Sequence, residues 1–195
     1  MKDIFLKNRE YIVELGSGDG RMLFDLCCTN VSGNYFYVGI EIDHKLYKQS
    51  LSLILNKRND NIYFLNDDFE EVVYSLPDRT INTFLCILPH PNYIGIEREY
   101  EWKNLYLTLR EKLKQNGKLV LVTEYTNELL SPVLLEEFQT WKKWLLTTFA
   151  MLGFHLIKLQ DDVPSLYTSN YVRKFKQDPD RIKILLLELE KSRNG

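Results

Sequence analysis

Three glycines at alternate positions follow an apolar run near the start of the chain, in the segment Glu14-Leu-Gly16-Ser-Gly18-Asp-Gly20. Residues without a Cβ allow the backbone to turn sharply and a ligand to approach it closely. The dinucleotide-binding fingerprint needs its third glycine one residue later, where this chain has Arg21, so a pyrophosphate at the helix N-terminus is disfavoured. The pattern favours the amino-acid end of S-adenosylmethionine (SAM), with Glu14 orienting the loop and holding the ligand's ammonium group. The alternative is a tight strand-to-helix turn without a ligand.

Acidic residues follow the next two apolar runs. Val38-Gly-Ile-Glu41-Ile-Asp43 places Glu41 at a strand end, where a carboxylate can accept hydrogen bonds from both ribose hydroxyls. Asn66-Asp67-Asp68 then supplies short polar side chains suited to the adenine amino group, and Asp67 is preferred over Asp68. A solvated strand end for Glu41 and a helix N-cap for the second group are the alternatives. Because these motifs fall in order at the ends of successive predicted strands, the sequence predicts a SAM site.

A proline-rich turn, Leu88-Pro89-His90-Pro91-Asn92-Tyr93, follows the fourth predicted strand. Two prolines fix the backbone there. We expect Leu88 to contact the cofactor, and Pro89, Pro91 and Tyr93 to contact the methyl acceptor. A neutral His90 could donate a hydrogen bond to the acceptor, or it could be a capping or packing imidazole in a rigid turn. Tyr93 could stack on a base or cover the pocket.

Strand-like and helix-like segments alternate along the chain and must position these residues. The predicted strands are 11–15, 35–42, 61–65, 80–88, 118–124, 154–159 and 182–189, and the predicted helices are 21–29, 45–57, 69–75, 100–115 and 133–152. Ser131-Pro132 is predicted to cap the last helix and Gly153 to end it, with a loop over 160–180. The alternation predicts one α/β domain, 1–195, with a Rossmann-like class I methyltransferase fold: a seven-stranded, mainly parallel sheet, an antiparallel C-terminal hairpin and helices on both faces.

Composition limits the location and the partners. Lys and Arg total 25 against 27 Asp and Glu, so the formal net charge of -2 provides no global attraction to nucleic acid or membrane. The 3 cysteines show neither a disulfide framework nor metal-ligand spacing. The N-terminus is charged where a signal peptide would be apolar, and no apolar run approaches the roughly 20 residues of a membrane helix. We therefore expect a cytoplasmic protein without a metal; the sequence does not predict the oligomeric state.

Beyond these motifs, several segments resemble the tRNA (guanine-N7)-methyltransferase family over nearly the whole chain. The proline-rich turn is similar to that family's aromatic-Pro-Asp-Pro-Trp, and Val122-Thr123-Glu124 to its Lys-Thr-Asp. Tyr171-Val-Arg-Lys-Phe175 resembles its Tyr-Glu-x-Lys-Phe, while 34–41 resembles its second strand and 61–73 its third strand and following helix. The resemblance implies SAM-dependent methylation of a guanine N7 in tRNA, with His90 and Glu124 at the catalytic positions and with Tyr171 and Lys174 at the substrate.

This chain departs from the family on the substrate side. His90 replaces the proline-flanked Asp, Val172 replaces the C-terminal Glu, and 94–99 replaces a basic run. Glu124 keeps the acidic character of its position, and Glu128 is a further carboxylate. Guanine N7 carries an exposed lone pair and needs no base to remove a proton, so positioning would supply most of the catalysis.

For RNA contact, the candidates are Trp141-Lys142-Lys143-Trp144 and the basic residues near the C-terminus, which are Arg173, Lys174, Lys176, Arg181 and Lys183. An amphipathic helix with buried tryptophans is the alternative for the first cluster and is preferred. Two rival functions stay open. One is methylation of a protein amide or amine, or of adenine; the other is a non-catalytic subunit with a SAM fold.

Overall fold

The structure, a computed structural model, describes residues 5, 9–30, 34–55, 60–127 and 131–192. Strands and helices alternate along these ranges. The strands are β1 (Glu10–Leu15), β2 (Tyr35–Ile40), β3 (Ile62–Leu65), β4 (Ile81–Ile87), β5 (Leu113–Tyr125), β6 (Phe154–Gln160) and β7 (Lys183–Lys191). The α-helices are α1 (Arg21–Thr29), α2 (His44–Leu55), α3 (Phe69–Ser75), α4 (Glu99–Lys112), α5 (Leu135–Met151) and α6 (Asn170–Phe175). Short 3-10 turns cover Pro91–Tyr93, Ile96–Arg98 and Ser165–Tyr167.

The strands form one 7-stranded sheet in the order β3-β2-β1-β4-β5-β7-β6. The pairs among β1 to β5 are parallel, and β7 is antiparallel to both β5 and β6. The predicted mainly parallel sheet with an antiparallel C-terminal hairpin is confirmed. The strand order reverses between β1 and β4, and a crevice suited to a ligand opens at such a point beyond the carboxyl ends of the strands.

Both faces of the sheet are buried, because alternate residues of the central strands belong to two different apolar clusters. Val13 packs in one cluster and Ile12 in the other, as do Leu121 and Val120. The first cluster includes apolar residues of α3, α4 and α5, and the second those of α1, α2 and α6. None of the helices in the described ranges has the length and apolar character needed to cross a bilayer.

The start of α5 differs from the prediction. Ser131 does not cap this helix, because its backbone N–H and its hydroxyl group both bond to the Asn127 side chain at 2.8 Å. The helix begins at Leu135, and the Leu134 N–H donates to Glu137 Oε2 at 3.2 Å. Gly153 follows the end of the helix with φ of 81°, as predicted.

Two further boundaries differ. The predicted helix 100–115 ends at Lys112, because Leu113 already pairs with Ile81 of the neighbouring strand. The predicted loop 160–180 contains the six-residue helix α6, whose N-terminus is capped by Ser169 Oγ accepting from the Val172 N–H at 3.2 Å. This short helix forms one wall of the site described next.

Candidate active site

A cavity of about 580 Å³ opens at the carboxyl ends of the parallel strands. Its floor is formed by Gly16 and Gly18 after β1, Glu41 after β2, the segment 87–91 after β4, and Glu124 near the end of β5. Residues 168–171 and 173–175 also line it. The predicted residues from four separate strand ends therefore meet in one crevice of the size that holds a small-molecule ligand.

The loop after β1 presents bare backbone to this cavity. Gly16 and Gly18 have φ of +69° and +57°, and a Cβ added to either would meet no atom within 4 Å. The Ser17 N–H donates to Ile40 O at 2.9 Å, which fixes the loop against the end of β2. The glycines thus leave room for a ligand where any other residue would place a side chain.

Gly20 has a different environment from the other two glycines. Its φ is +75°, and an added Cβ would lie 2.6 Å from side-chain atoms of both Phe64 and Ser50. Gly20 is not among the residues that line the cavity. Its position is explained by close packing of the start of α1 against β3 and α2, and its predicted contact with the cofactor stays a prediction.

Gly20→Ala is expected to lower the free energy of unfolding by about 2–4 kcal/mol, because the methyl group would overlap two buried side chains and would hold a strained φ. Gly18→Ala is the matched control, since it has the same sign of φ but open space, and a loss of about 1 kcal/mol is expected. Urea unfolding followed by circular dichroism measures both. Equal losses for the two variants would contradict the packing explanation.

Glu41 connects the glycine loop to the end of β2. The residue is 8% exposed, so the solvated strand end considered above does not describe it. Oε2 accepts from the Gly18 N–H at 2.7 Å and Oε1 accepts from the Asp43 N–H at 2.8 Å. Each carboxylate oxygen keeps a second lone pair, so a ligand diol could still bind both oxygens.

Three residues that line the cavity each carry a buried side-chain oxygen with no hydrogen-bond partner among the described residues: Glu14 Oε2, Ser17 Oγ and Glu124 Oε2. Leaving such groups unpaired costs about 1–3 kcal/mol each, which a ligand with donors would recover. Burial, and then the charges of Asp19 and Glu41, raise the pKa of Glu14 well above its usual range. A cationic ligand group here would restore the ionised form of Glu14, so this carboxylate acceptor fits an amino acid ammonium.

Asn66, Asp67 and Asp68 take part in local hydrogen bonds. The Asn66 side-chain amide donates to Glu41 O at 2.8 Å, and Asp68 Oδ1 caps α3 by accepting from the Glu70 N–H at 2.8 Å. Neither Asp67 nor Asp68 lines the cavity. The helix cap considered as an alternative is present at Asp68, and the contact of either aspartate with adenine stays a prediction.

The proline-rich turn begins with a strained residue. Leu88 has φ of 53°, in the left-handed region that branched side chains seldom adopt, and its N–H donates to Val122 O at 2.7 Å. Leu88, Pro89 and Pro91 all line the cavity. The turn therefore directs the chain across the mouth of the site immediately after β4.

His90 lines the same cavity and also caps the 3-10 turn that follows. Its Nδ1 accepts from the Asn92 N–H at 3.2 Å, so a neutral ring carries its proton on Nε2. His90 is therefore the capping residue that was considered as an alternative, and its Nε2–H remains available to donate to a second partner. Tyr93 does not line the cavity; its ring packs edge-on against Phe69 with centroids 5.0 Å apart.

Glu124 lies deep in the cavity wall. Burial raises its pKa from 4.5 to about 7, so its charge changes in the physiological range. Pro91 and Glu124 also line a second cavity of about 840 Å³, formed with 92, 94–98, 125–127, 131, 137 and 141. Glu128, the other predicted carboxylate, lies outside the described residues.

The opposite wall comes from α6. Tyr171 and Lys174 line the cavity, with Lys174 Nζ 5.4 Å from the centroid of the Tyr171 ring, and their contact with the substrate stays a prediction. Val172 points into the apolar cluster and is fully buried. The sequence did not predict that Asn170 would join this wall to the glycine loop, where its Nδ2 donates to Asp19 Oδ2 at 3.0 Å.

Ser17 and Ser169 are among the other cavity residues that the sequence analysis did not predict. Ser17 lies between the glycines, and a hydroxyl placed between residues that line a ligand site was a usable signal. Ser169 caps α6, and its position three residues before Val172 is a capping pattern that could have revealed the helix.

The Trp-Lys-Lys-Trp segment belongs to α5 and packs as the preferred alternative predicted. Trp141 is buried, the Trp144 Nε1–H donates to Glu99 Oε2 at 2.6 Å, and Lys142 pairs with Asp161 at 2.6 Å. The exposed Lys143 is the remaining cation of the segment.

Comparison with solved structures shows the same fold. The 16S rRNA methyltransferase KamB aligns with a TM-score of 0.70 at 13% identity, over 98% of this chain and 92% of that one. A SAM-dependent methyltransferase from Mesorhizobium loti aligns with a TM-score of 0.62 at 16% identity, over 97% and 95% of the two chains. The arrangement of strands and helices is therefore that of class I SAM-dependent methyltransferases.

Sequence comparison extends the likeness. A tRNA (guanine-N(7)-)-methyltransferase of Prochlorococcus marinus (strain AS9601) is 28% identical over 117 residues, 56% of this chain and 54% of that protein, so the match spans about half of this relative. A protein with the same name from Mycoplasma mycoides subsp. mycoides SC is 24% identical over 180 residues, 88% of this chain and 80% of its own length. Residues 8–144 match the family model described as "Putative methyltransferase". Since that match covers well over half of the chain and includes the glycine loop and the proline-rich turn, the chain belongs to this methyltransferase family.

Proposed function

We propose that this chain is a SAM-dependent methyltransferase that transfers the methyl group to a guanine N7 in tRNA. The observation that carries the cofactor assignment is the buried, unpartnered Glu14 Oε2, which belongs to a residue lining the same cavity as two open glycines. The acceptor assignment is supported by the two relatives named as tRNA (guanine-N(7)-)-methyltransferases.

Residues of the cavity can hold each part of SAM. Glu14 would accept hydrogen bonds from the ammonium group, the backbone at Gly16 and Gly18 would lie along the chain of the amino acid, and Glu41 would accept from the ribose hydroxyls. SAM, when bound, supplies an electrophilic sulfonium methyl group. The role of the protein is to exclude water and to hold that ligand in one orientation beside the acceptor.

Two side chains are placed to hold a guanine. Its N7 lone pair attacks directly, so no general base is required, and the base becomes cationic as the methyl group arrives. The Glu124 carboxylate would accept from the N–H edge of the base and stabilise that cation, and His90 Nε2–H would donate to O6. Both residues line the 580 Å³ cavity in which the cofactor is proposed to bind, so they can contact a base that lies beside the methyl group.

The side chains that we propose to contact RNA phosphates belong to α6. Lys176 pairs with Asp162, and Arg181 pairs with Asp178. Arg173 and Lys174 are exposed and take part in none of the ion pairs found among the described residues. These two cations are therefore the best available partners for RNA phosphates near the mouth of the cavity.

The test is methyl transfer from labelled SAM to unmodified tRNA, followed by mapping of the modified base. We expect label on a guanine that becomes sensitive to borohydride and aniline, a property of the N7-methylated base. Label on an offered protein, or on adenine, would support the rival acceptors. Tight SAM binding without transfer to any acceptor would support a non-catalytic subunit.

A further inference from the structure

A shallow groove runs along one face of the helix α2. Its lining residues are exposed and recur at helical spacing: His44, Lys45, Lys48, Gln49 and Ser52. The opposite face of α2, with Tyr47, Leu51 and Ile54, packs against the apolar cluster beneath it. The α2 groove is therefore on a face of the helix that is turned towards solvent.

The charged side chains that line the α2 groove are lysines. Lys45 and Lys48 take part in none of the ion pairs found among the described residues, and within those residues no carboxylate lines the groove with them. Asp43 precedes the helix, but its Oδ1 accepts from the Lys45 and Leu46 N–H groups at 2.8 and 2.9 Å. The groove is thus a local positive surface on a protein whose formal net charge is -2, and such a surface suits a polyanion.

His44 adds an uncharged hydrogen-bonding group to the α2 groove. The Asn66 side-chain nitrogen donates to the carbonyl oxygens of Glu41 and Ile42. Asn66 Oδ1 is therefore the acceptor in the 2.8 Å hydrogen bond with His44 Nδ1, and a neutral His44 ring carries its proton on Nδ1. Nε2 of this ring is then an acceptor, which suits a ribose 2′-hydroxyl better than a phosphate oxygen.

The α2 groove adjoins the cofactor cavity at Gln49, which lines both. The exposed cations of α6 that we assign to RNA phosphates line the same cofactor cavity. The second cavity has the opposite character, because Glu97, Glu124 and Glu137 line it against one guanidinium, that of Arg98. Phosphates would be repelled there and attracted to α2 and α6.

We propose that the α2 groove is a second contact surface for the RNA backbone, in which Lys45 and Lys48 hold phosphates and His44 accepts from a ribose 2′-hydroxyl. The inference rests on the proposed function and adds the path of the substrate. The RNA backbone passes from the α6 cations across the mouth of the cofactor cavity to α2, away from the acidic second cavity. Contacts at two separate helices fix the orientation of the strand as well as its attachment.

Charge reversal at Lys48 tests the phosphate contact. Lys48→Glu should raise the Kd for unmodified tRNA about tenfold at about 100 mM salt, and should reduce the slope of log K against log salt concentration by about 1. Filter binding with S-adenosylhomocysteine present measures both. The Kd for SAM, measured by calorimetry, should change less than about twofold, since Lys48 does not line the cofactor cavity.

Lys143→Glu is the matched control. Lys143 is an exposed residue of α5, which packs on the other face of the sheet, and it too takes part in none of the ion pairs found in the described ranges. The change in net charge is the same as in Lys48→Glu. The Kd for tRNA should therefore stay within about twofold of wild type.

His44→Ala tests the uncharged contact. The Kd for tRNA should rise about threefold while its salt dependence stays that of wild type, because no charge is removed. The Kd for SAM should stay within about twofold of wild type. An equal loss of SAM affinity would show that His44 supports Asn66 and the end of β2, and would overturn its assignment to the ribose.

Three further results would count against the α2 groove. Equal weakening by Lys48→Glu and Lys143→Glu would show a general effect of charge, and unchanged tRNA binding in Lys48→Glu would show that no phosphate lies there. Weaker binding of heparin but not of tRNA in Lys48→Glu would assign the groove to another polyanion. Each of these results overturns this inference and leaves the proposed function standing. A wild-type protein that binds SAM but neither binds nor methylates tRNA would overturn both.

Discussion

Glu124→Gln is expected to reduce methyl transfer to RNA at pH 8 by about 10- to 100-fold, the equivalent of losing one charge-assisted hydrogen bond. Burial brings the pKa of Glu124 to about 7, so the wild-type carboxylate is ionised at pH 8 and mainly protonated at pH 6. Transfer by wild type should therefore rise through this interval. The Gln variant should show a flat profile there, because it has no proton to lose.

Glu124 also makes the free energy of unfolding depend on pH, but this free energy falls as the pH rises, whereas the rate of methyl transfer increases. A carboxyl whose pKa is higher in the folded than in the unfolded protein binds more protons when folded, so its contribution to stability is lost as the pH rises from about 4.5 to 7. At pH 8, Glu124→Gln should be more stable than wild type by up to about 3 kcal/mol. Denaturant unfolding at pH 5 and pH 8 measures the difference.

Glu111→Gln is the control for both measurements. It removes one carboxylate from an exposed position in the last turn of α4, next to the start of β5 and at the opposite end of that strand from Glu124. It should leave the rate and its pH profile unchanged. A Gln variant of Glu124 that is slow but still titrates near pH 7 would assign the titration to another group.

Glu41→Ala is expected to weaken SAM binding by about 30-fold or more, near 2 kcal/mol, measured by calorimetry. The variant loses two proposed contacts with the ribose hydroxyls. It also removes the acceptor for the Gly18 N–H, which shapes the loop that receives the amino acid. Both effects act in the same direction, so affinity alone does not separate them.

A ligand lacking the ribose hydroxyls separates these effects. Wild type should bind S-adenosylhomocysteine more tightly than its 2′,3′-dideoxy analogue, by at least tenfold, whereas Glu41→Ala should bind the two about equally. If the analogue is penalised equally in both proteins, Glu41 does not contact the ribose, and the loss of affinity in Glu41→Ala comes from the loop.

The alternation of strands and helices and the two clearest helices were predictable because local and tertiary signals agree. The helices 21–29 and 69–75 have the predicted bounds, since one follows a glycine turn and the other an aspartate cap. Ser131-Pro132 was misleading because Ser131 bonds to Asn127, a contact that local preference does not reveal. The helix α6 is only six residues long, too short for a periodic apolar pattern to stand out.

Some parts of the site could be predicted from the sequence and others could not, and the reason is physical. Residues at strand ends, such as Gly16, Glu41, Glu124 and His90, follow from the rule that parallel strands end at one edge. The second cavity could not be predicted from that rule. Its walls come from a 3-10 turn, the segment after β5 and the first turns of α5, and no motif links these segments. Gly20 is the opposite case. It belongs to the glycine spacing that predicts a ligand loop, but its position is explained by close packing.

The hydrogen bond between Asn170 and Asp19 spans 151 positions of the chain. During translation the loop that carries Asp19 is made well before the helix that carries Asn170. A nascent chain that stops short of Asn170 would have all the alternate glycines and yet would lack one wall of the cavity. The wall that α6 forms is therefore made after the glycine loop and after strands β1 to β6.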